Sequence, residues 1–137
     1  MKTLSEILTK IDGLPKEADR AATLATMPDP YPRALKILIK HALDPNIKHR
    51  DIFGEISYDK CRDDNPGALL YETKRLYLFI EGNAPGLDDA KLKAVFERML
   101  STLIPEDAEL MLSVMRKKFP YKKIDRKIIK RAFPGLL

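Results

Sequence analysis

The chain has 137 residues, of which 45% are hydrophobic and 33% are charged, and its formal net charge is +5 at pH 7. This composition is typical of a globular domain with one hydrophobic core, and it excludes a disordered chain. No apolar run approaches the ~20 residues of a membrane-spanning helix, and the first residues lack the apolar segment of a signal peptide. We therefore expect a cytoplasmic protein with no membrane partner.

Cysteine and histidine are too scarce to indicate a metal centre. Cys61 is the only cysteine, which excludes an internal disulfide and a cysteine-rich zinc site. His41 and His49 are the only histidines, and their spacing of eight does not place them together on one helix face. We expect two ordinary exposed or half-buried histidines, with no metal ion and no cofactor.

Proline and glycine divide the chain into short helices. Thr3 and Glu6 have capping-box spacing at the start of the first helix, and Gly13 ends it. Pro15 can begin a second helix that extends to about Met27. The later helices are predicted from a cap at Asp29 to Leu43, over about Ala68–Glu81, from a cap at Asp88 to Leu103, from Pro105 to Lys118, and from a cap at Asp125 to Ala132.

No segment alternates apolar and polar residues as a strand would. The sequence therefore predicts an all-α protein, a single domain over residues 1–137 built as a compact bundle of about seven or eight short helices. The large apolar side chains at helical spacing are expected in its core rather than around a cofactor, and these include Met99, Met111, Met115, Phe79 and Phe96.

Positive charge is concentrated in residues 116–131, which we call the C-terminal basic block. The block has a net charge of +8, against −6 for residues 51–115 and +3 for residues 1–50. Together with Phe119 and Tyr121, such a concentration predicts a surface that faces phosphates. The alternative is that several of the lysines are solvated helix ends. The basic residues of the block are Arg116, Lys117, Lys118, Lys122, Lys123, Arg126, Lys127, Lys130 and Arg131.

Two other patterns look like functional motifs. Lys10-Ile11-Asp12-Gly13 matches the K-x-D-G sequence of covalent nucleotidyltransferases, but that chemistry requires a deep nucleotide pocket built on strands, so we expect a solvated lysine before a helix stop. Asp59, Asp63 and Asp64 surround Cys61 without the spacing of a calcium loop, and we expect a solvated turn.

The end of the chain resembles the helical N-terminal DNA-binding domain of ATP-dependent DNA ligases, especially those of large tailed phages. In that family a helix ending in basic residues leads into a short capped helix that closes with a basic residue, a small one and an aromatic-Pro-Gly-Leu sequence. Arg131, Ala132 and Phe133-Pro134-Gly135-Leu136 match this ending, and Asp125 replaces a capping serine. Residues 74–80 and 82–103 resemble the middle of the same domain.

The resemblance implies an all-helical module that binds duplex DNA across the minor groove through backbone phosphates, in a phage or its host's cytoplasm. The family usually has a glycine-containing loop where this chain has Pro120-Tyr121-Lys122-Lys123. In a ligase a nucleotidyltransferase domain would follow the position of Leu137.

The leading hypothesis is a non-catalytic DNA-binding protein with little sequence specificity, acting in DNA replication, repair or a related process. The nine basic residues of the block would contact phosphates, and the amides near Arg126 and Lys127 would add donors. Nicked, bent or junction DNA is among the expected ligands. The alternative is a protein-interaction adaptor that docks a replication, transcription or host protein through the acidic residues 51–115. We expect no enzymatic activity.

Overall fold

The computed structural model describes residues 2–61 and 68–137. Over these ranges the chain forms seven α-helices, one 3-10 helix and no strand, which confirms the predicted all-α fold. Asp63 and Asp64 of the acidic cluster, where a solvated turn is predicted, lie outside the described residues. The helices are α1 (Leu4–Asp12), α2 (Glu17–Ala25), α3 (Tyr31–Leu43), α4 (Leu69–Glu72), the 3-10 helix (Thr73–Phe79), α5 (Asp89–Thr102), α6 (Pro105–Met115) and α7 (Arg126–Ala132).

Side-chain caps begin several helices where the sequence predicts them. The Thr3 hydroxyl accepts from the Glu6 amide at 3.2 Å, and the Glu6 carboxylate accepts from the Thr3 amide at 3.3 Å, so the capping box is confirmed. Asp88 caps α5 by accepting from the Lys91 amide at 2.8 Å. These contacts satisfy N–H groups that the helix itself cannot pair.

The predicted cap at Asp29 is wrong. α3 begins at Tyr31, and its N-cap is Pro30, which has no side-chain acceptor. Pro32 occupies the first turn, where a missing N–H costs nothing because that position has no intrahelical acceptor. α2 is also shorter than predicted and ends at Ala25 rather than near Met27.

The single helix predicted over residues 68–81 is instead α4 followed by the 3-10 helix. A 3-10 helix has three residues per turn, so side chains three apart lie on one face. Thr73, Leu76 and Phe79 have this spacing, and each is at most 2% exposed. The apolar residues therefore recur at a period that buries one face of a 3-10 helix.

α3 packs against α6, α4 and the 3-10 helix. α6 also contacts α1 and α5, and α7 packs on α2. The five methionine and phenylalanine side chains predicted in the core are all buried. None of the helices in the described ranges is both long and apolar enough to cross a bilayer.

Residues 44–61 form an irregular segment that several contacts hold to the core. The Phe53 ring packs edge-on against Phe96 and Phe79, with ring centroids 4.7 and 5.9 Å away. The Arg50 guanidinium donates to the carbonyls of three residues in the turn before α5, at 2.6–3.1 Å, and these residues are Asn83, Ala84 and Leu87. Hydrogen bonds from Arg116 to the Phe53 and Gly54 carbonyls also hold the segment beside the end of α6, where the basic block begins.

Candidate nucleic-acid interface

The loop between α6 and α7 is anchored on α1. The Tyr121 hydroxyl donates to the Ser5 carbonyl at 3.4 Å, and the Lys123 amide donates to the Asp12 carboxylate at 2.9 Å. Ile124 is 1% exposed and joins the core. Burial raises the pKa of Tyr121, which keeps its hydroxyl protonated and able to donate. Because the loop backbone is fixed in this way, the side chains of Lys122 and Lys123 face solvent.

α7 is amphipathic despite its length of seven residues. Ile128 and Ile129 are fully buried, whereas Arg126, Lys127, Lys130 and Arg131 are exposed on the opposite side. Four positions of the predicted interface therefore share one helix face.

The N-terminal end of α7 already has an acceptor. The Asp125 carboxylate accepts from the Ile128 amide at 3.0 Å, which confirms the predicted cap. This carboxylate places a negative charge at the helix end where the sequence suggests phosphate-binding amides near Arg126 and Lys127. We therefore expect phosphates to contact the side chains of the basic block and not the backbone amides at the start of α7.

Two cations of the basic block bind the C-terminal end of α3. The Lys117 ammonium donates to the carbonyls of His41 and Asp44, both at 2.8 Å, and the Arg126 guanidinium donates to the carbonyl of Leu43 at 2.6 Å. These carbonyls lie at the negative end of the helix dipole and lack intrahelical donors, so a cation there is stabilising. Burial lowers the pKa of Lys117, while Asp44 opposes that shift.

Lys117 lies two residues beyond the last residue of α6 and has a left-handed backbone conformation, with φ of 62°. The Lys118 amide donates to the Ser113 carbonyl at 2.9 Å and the Lys117 amide to the Val114 carbonyl at 3.0 Å, which is the Schellman pattern. Glycine is the usual residue at this position because it adopts positive φ without strain. A lysine here is explained by the contacts that its ammonium makes with α3.

Arg116 and Lys127 are engaged in different ways. The Arg116 guanidinium donates to the carbonyls of Phe53 at 2.7 Å and Gly54 at 3.3 Å, so it fixes the irregular segment to the end of α6. Lys127 forms an ion pair with Glu17 at 3.1 Å, in which both side chains are about half exposed or more. Such an exposed pair contributes little stability, and a phosphate can displace it.

The remaining five cations of the block are exposed, and their side chains form no hydrogen bond or ion pair with any described residue. We call them the outer cations. The structure thus divides the nine predicted residues into three that hold the fold, one in a surface ion pair, and five that face solvent. The outer cations are Lys118, Lys122, Lys123, Lys130 and Arg131.

Sequence reasoning missed three basic residues on α3. Arg33, Lys36 and Lys40 are exposed and recur at helical spacing, and the sequence of α3 contains no acidic residue. The Lys36 ammonium lies 5.2 Å from the centre of the Phe133 ring, which places it beside the end of α7. The spacing of these residues is visible in the sequence, but their proximity to the basic block requires the fold.

The two histidines contact each other, and His41 is 5% exposed, whereas we expected two exposed or half-buried side chains. His41 Nδ1 and His49 Nε2 are 2.7 Å apart, and the rings are parallel with centroids 5.0 Å apart. His49 comes from the irregular segment, which returns along the end of α3. In the part of the chain described, no group of three His, Cys, Asp or Glu side chains is placed to hold a metal ion.

Burial lowers the pKa of both histidines to about 4, with the positive charge of Lys117 contributing to each shift. In the neutral pair one ring nitrogen donates and the other accepts, whereas protonation of both rings would leave two N–H groups facing each other. Because burial disfavours the charged form of each ring, the pair contributes most to stability while both rings are neutral.

An open groove of about 540 Å³ lies beside this pair, and it contains Lys48, Arg50, Arg116 and Lys117. Three of these four cations already donate to backbone carbonyls, as described above, and Asp51 and Glu81 also line the groove. Four cations against two carboxylates leave the groove a net charge of +2, and three of its cations are already held by carbonyls. The groove is a weaker phosphate site than the surface that carries the outer cations.

We expect Lys117→Met to lower the free energy of unfolding by about 1–2 kcal/mol, because it removes a charged donor from two carbonyls at a helix end. Lys118→Met is the matched control, since Lys118 is exposed and its side chain has no partner among the described residues. It should change stability by less than about 0.5 kcal/mol. Urea denaturation measures both free energies of unfolding. Equal losses of stability in the two variants would contradict the distinction between Lys117, which holds the fold, and Lys118, which does not.

We expect neither imidazole to become protonated in the folded protein between about pH 7.5 and 5.5. Because both pKa values are lowered from 6.5 to about 4, the unfolded chain binds more protons in that interval. The stability due to the pair is complete above pH 6.5 and is lost as the pH falls through about 4. NMR titration of the imidazole carbons tests this, and midpoints near 6.5 would show that the pair is not buried.

Comparison with known proteins finds no matching family model, no similar curated protein and no similar solved structure. The resemblance to ligase DNA-binding domains therefore stays a prediction from the residues that carry it.

Proposed function

We propose that this protein binds duplex DNA through the sugar–phosphate backbone, without sequence specificity and without catalysing a reaction. The observation that carries the proposal is the set of outer cations. Within a segment of fourteen residues, from 118 to 131, five cations face solvent with no compensating partner among the described residues. Concentrated positive charge of this kind attracts a polyanion and releases its counterions on binding.

The chemistry of these side chains favours phosphate contacts over base recognition. Four of the five are lysines, which bind phosphates as flexible point charges. α7 has seven residues, and its exposed side chains include no Asn or Gln to pair with an adenine edge. Binding should therefore depend on the density of phosphates rather than on the order of the bases.

The aromatic-Pro-Gly-Leu ending has a structural explanation in this chain. Phe133 is 7% exposed and closes α7, and Gly135 has a φ of 82°, which favours glycine. The ending thus holds α7 against the core with its basic face outward. A role in phage replication or repair rests on the resemblance and is part of the proposal.

The adaptor alternative receives less support, because several acidic residues of the middle region are already engaged. Asp88 caps α5, Asp89 pairs with Arg50 at 3.3 Å, and Glu97 accepts from the Ser57 amide at 2.7 Å. Asp107 is 2% exposed and accepts from the Ser5 amide. Fewer free carboxylates remain for a basic partner than the net charge of −6 suggests.

We expect the double variant Lys130→Ala/Arg131→Ala to bind duplex DNA at least about tenfold more weakly at 50 mM salt. The slope of log K against log salt should become less steep by about two, because two phosphate contacts are lost. Fluorescence anisotropy with two duplexes of unrelated sequence measures both quantities. The weakening should be the same for both duplexes.

The matched control is Lys91→Ala/Arg98→Ala on α5, which removes the same two charges from exposed positions on a helix that packs on α6. This control should retain most of the affinity. Equal weakening by both variants would show that net charge alone is responsible. No binding by the unaltered protein at low salt would refute the proposed function.

A further inference from the structure

The exposed face of α3 continues the positive surface of the basic block. Arg33, Lys36 and Lys40 lie on this face, and the contact between Lys36 and Phe133 joins it to the end of α7. Of the acidic residues near α7, Glu17 belongs to α2 and Asp12 to α1, and Asp44 follows the last residue of α3 rather than lying on its exposed face. A polyanion that leaves α7 therefore meets positive charge along α3.

A groove of about 270 Å³ lies at the opposite end of this face, between α3 and α4. Its apolar lining comes from Ala34, Ile37 and Leu70. Arg33 and Lys74 supply positive charge at the groove, and Asp29 supplies one negative charge. The groove thus combines an apolar surface with a net positive charge.

Tyr71 lines the groove and is 52% exposed. An exposed aromatic ring beside cations is the arrangement by which proteins bind single-stranded nucleic acids. The ring stacks on an unpaired base while the cations contact the adjoining phosphates. A paired base inside a duplex cannot stack in this way, because its faces are covered by its neighbours.

We propose that a single strand leaving the bound duplex follows α3 and places an unpaired base against Tyr71. The preferred ligand is then a duplex with a single-stranded extension rather than a blunt duplex. This inference rests on the proposed function, because the duplex is held by the outer cations. Positive charge continues from α7 along α3 to the groove. We infer a nucleic acid as the occupant because a polyanion can contact the whole of this surface.

The test compares a blunt duplex with the same duplex carrying an overhang of about six nucleotides, by fluorescence anisotropy at low salt. The unaltered protein should bind the overhang duplex about tenfold more tightly. Tyr71→Ala should lose this preference while binding the blunt duplex as before. Tyr77→Ala is the matched control, since Tyr77 is 57% exposed but does not line the groove, and it should keep the preference.

The two duplexes distinguish a failure of this inference from a failure of the proposed function. Equal binding of both duplexes by the unaltered protein would overturn the inference and leave duplex binding intact, whereas no binding of either would refute both. A preference that survives Tyr71→Ala, or that Tyr77→Ala abolishes equally, would show that the groove does not hold the single strand.

Discussion

Carbonyl groups at the C-terminal end of α3 hold two cations of the basic block in place. The last carbonyls of a helix have no intrahelical donors and carry the negative end of its dipole. Here they accept from Lys117, which follows α6, and from Arg126, which begins α7. One helix end therefore fixes the position of two other helices, and the neutral histidine pair packs beside it.

This constraint explains why side chains of the same type have different roles. Lys117 turns inward to the carbonyls of α3, and the next residue, Lys118, faces solvent because the left-handed turn at Lys117 redirects the chain. The cations that hold the fold donate their hydrogen bonds to carbonyl oxygens. The outer cations have no such partner, and their charge is available to a ligand. The basic face of α3 extends that surface beyond the block.

Local features of the fold could be predicted from the sequence, whereas contacts between distant residues could not. The caps at Thr3, Asp88 and Asp125 depend on residues three positions apart and are confirmed. His41 lies on α3 and His49 lies in the irregular segment, so their contact depends on the path of that segment beside α3. A spacing rule for helices cannot predict such a contact. The role of Lys117 depends on carbonyls more than 70 positions away, so charge counting could not separate it from the outer cations.

The most direct measurement is an amide NMR titration of the protein with a short duplex at low salt. If the outer cations hold the duplex, the largest shifts should fall on residues 118–131 and on the exposed face of α3. The amides of α5, which lies outside both of these surfaces, should not move. The largest shifts on α5, or no shifts at all, would contradict a DNA interface built from the basic block.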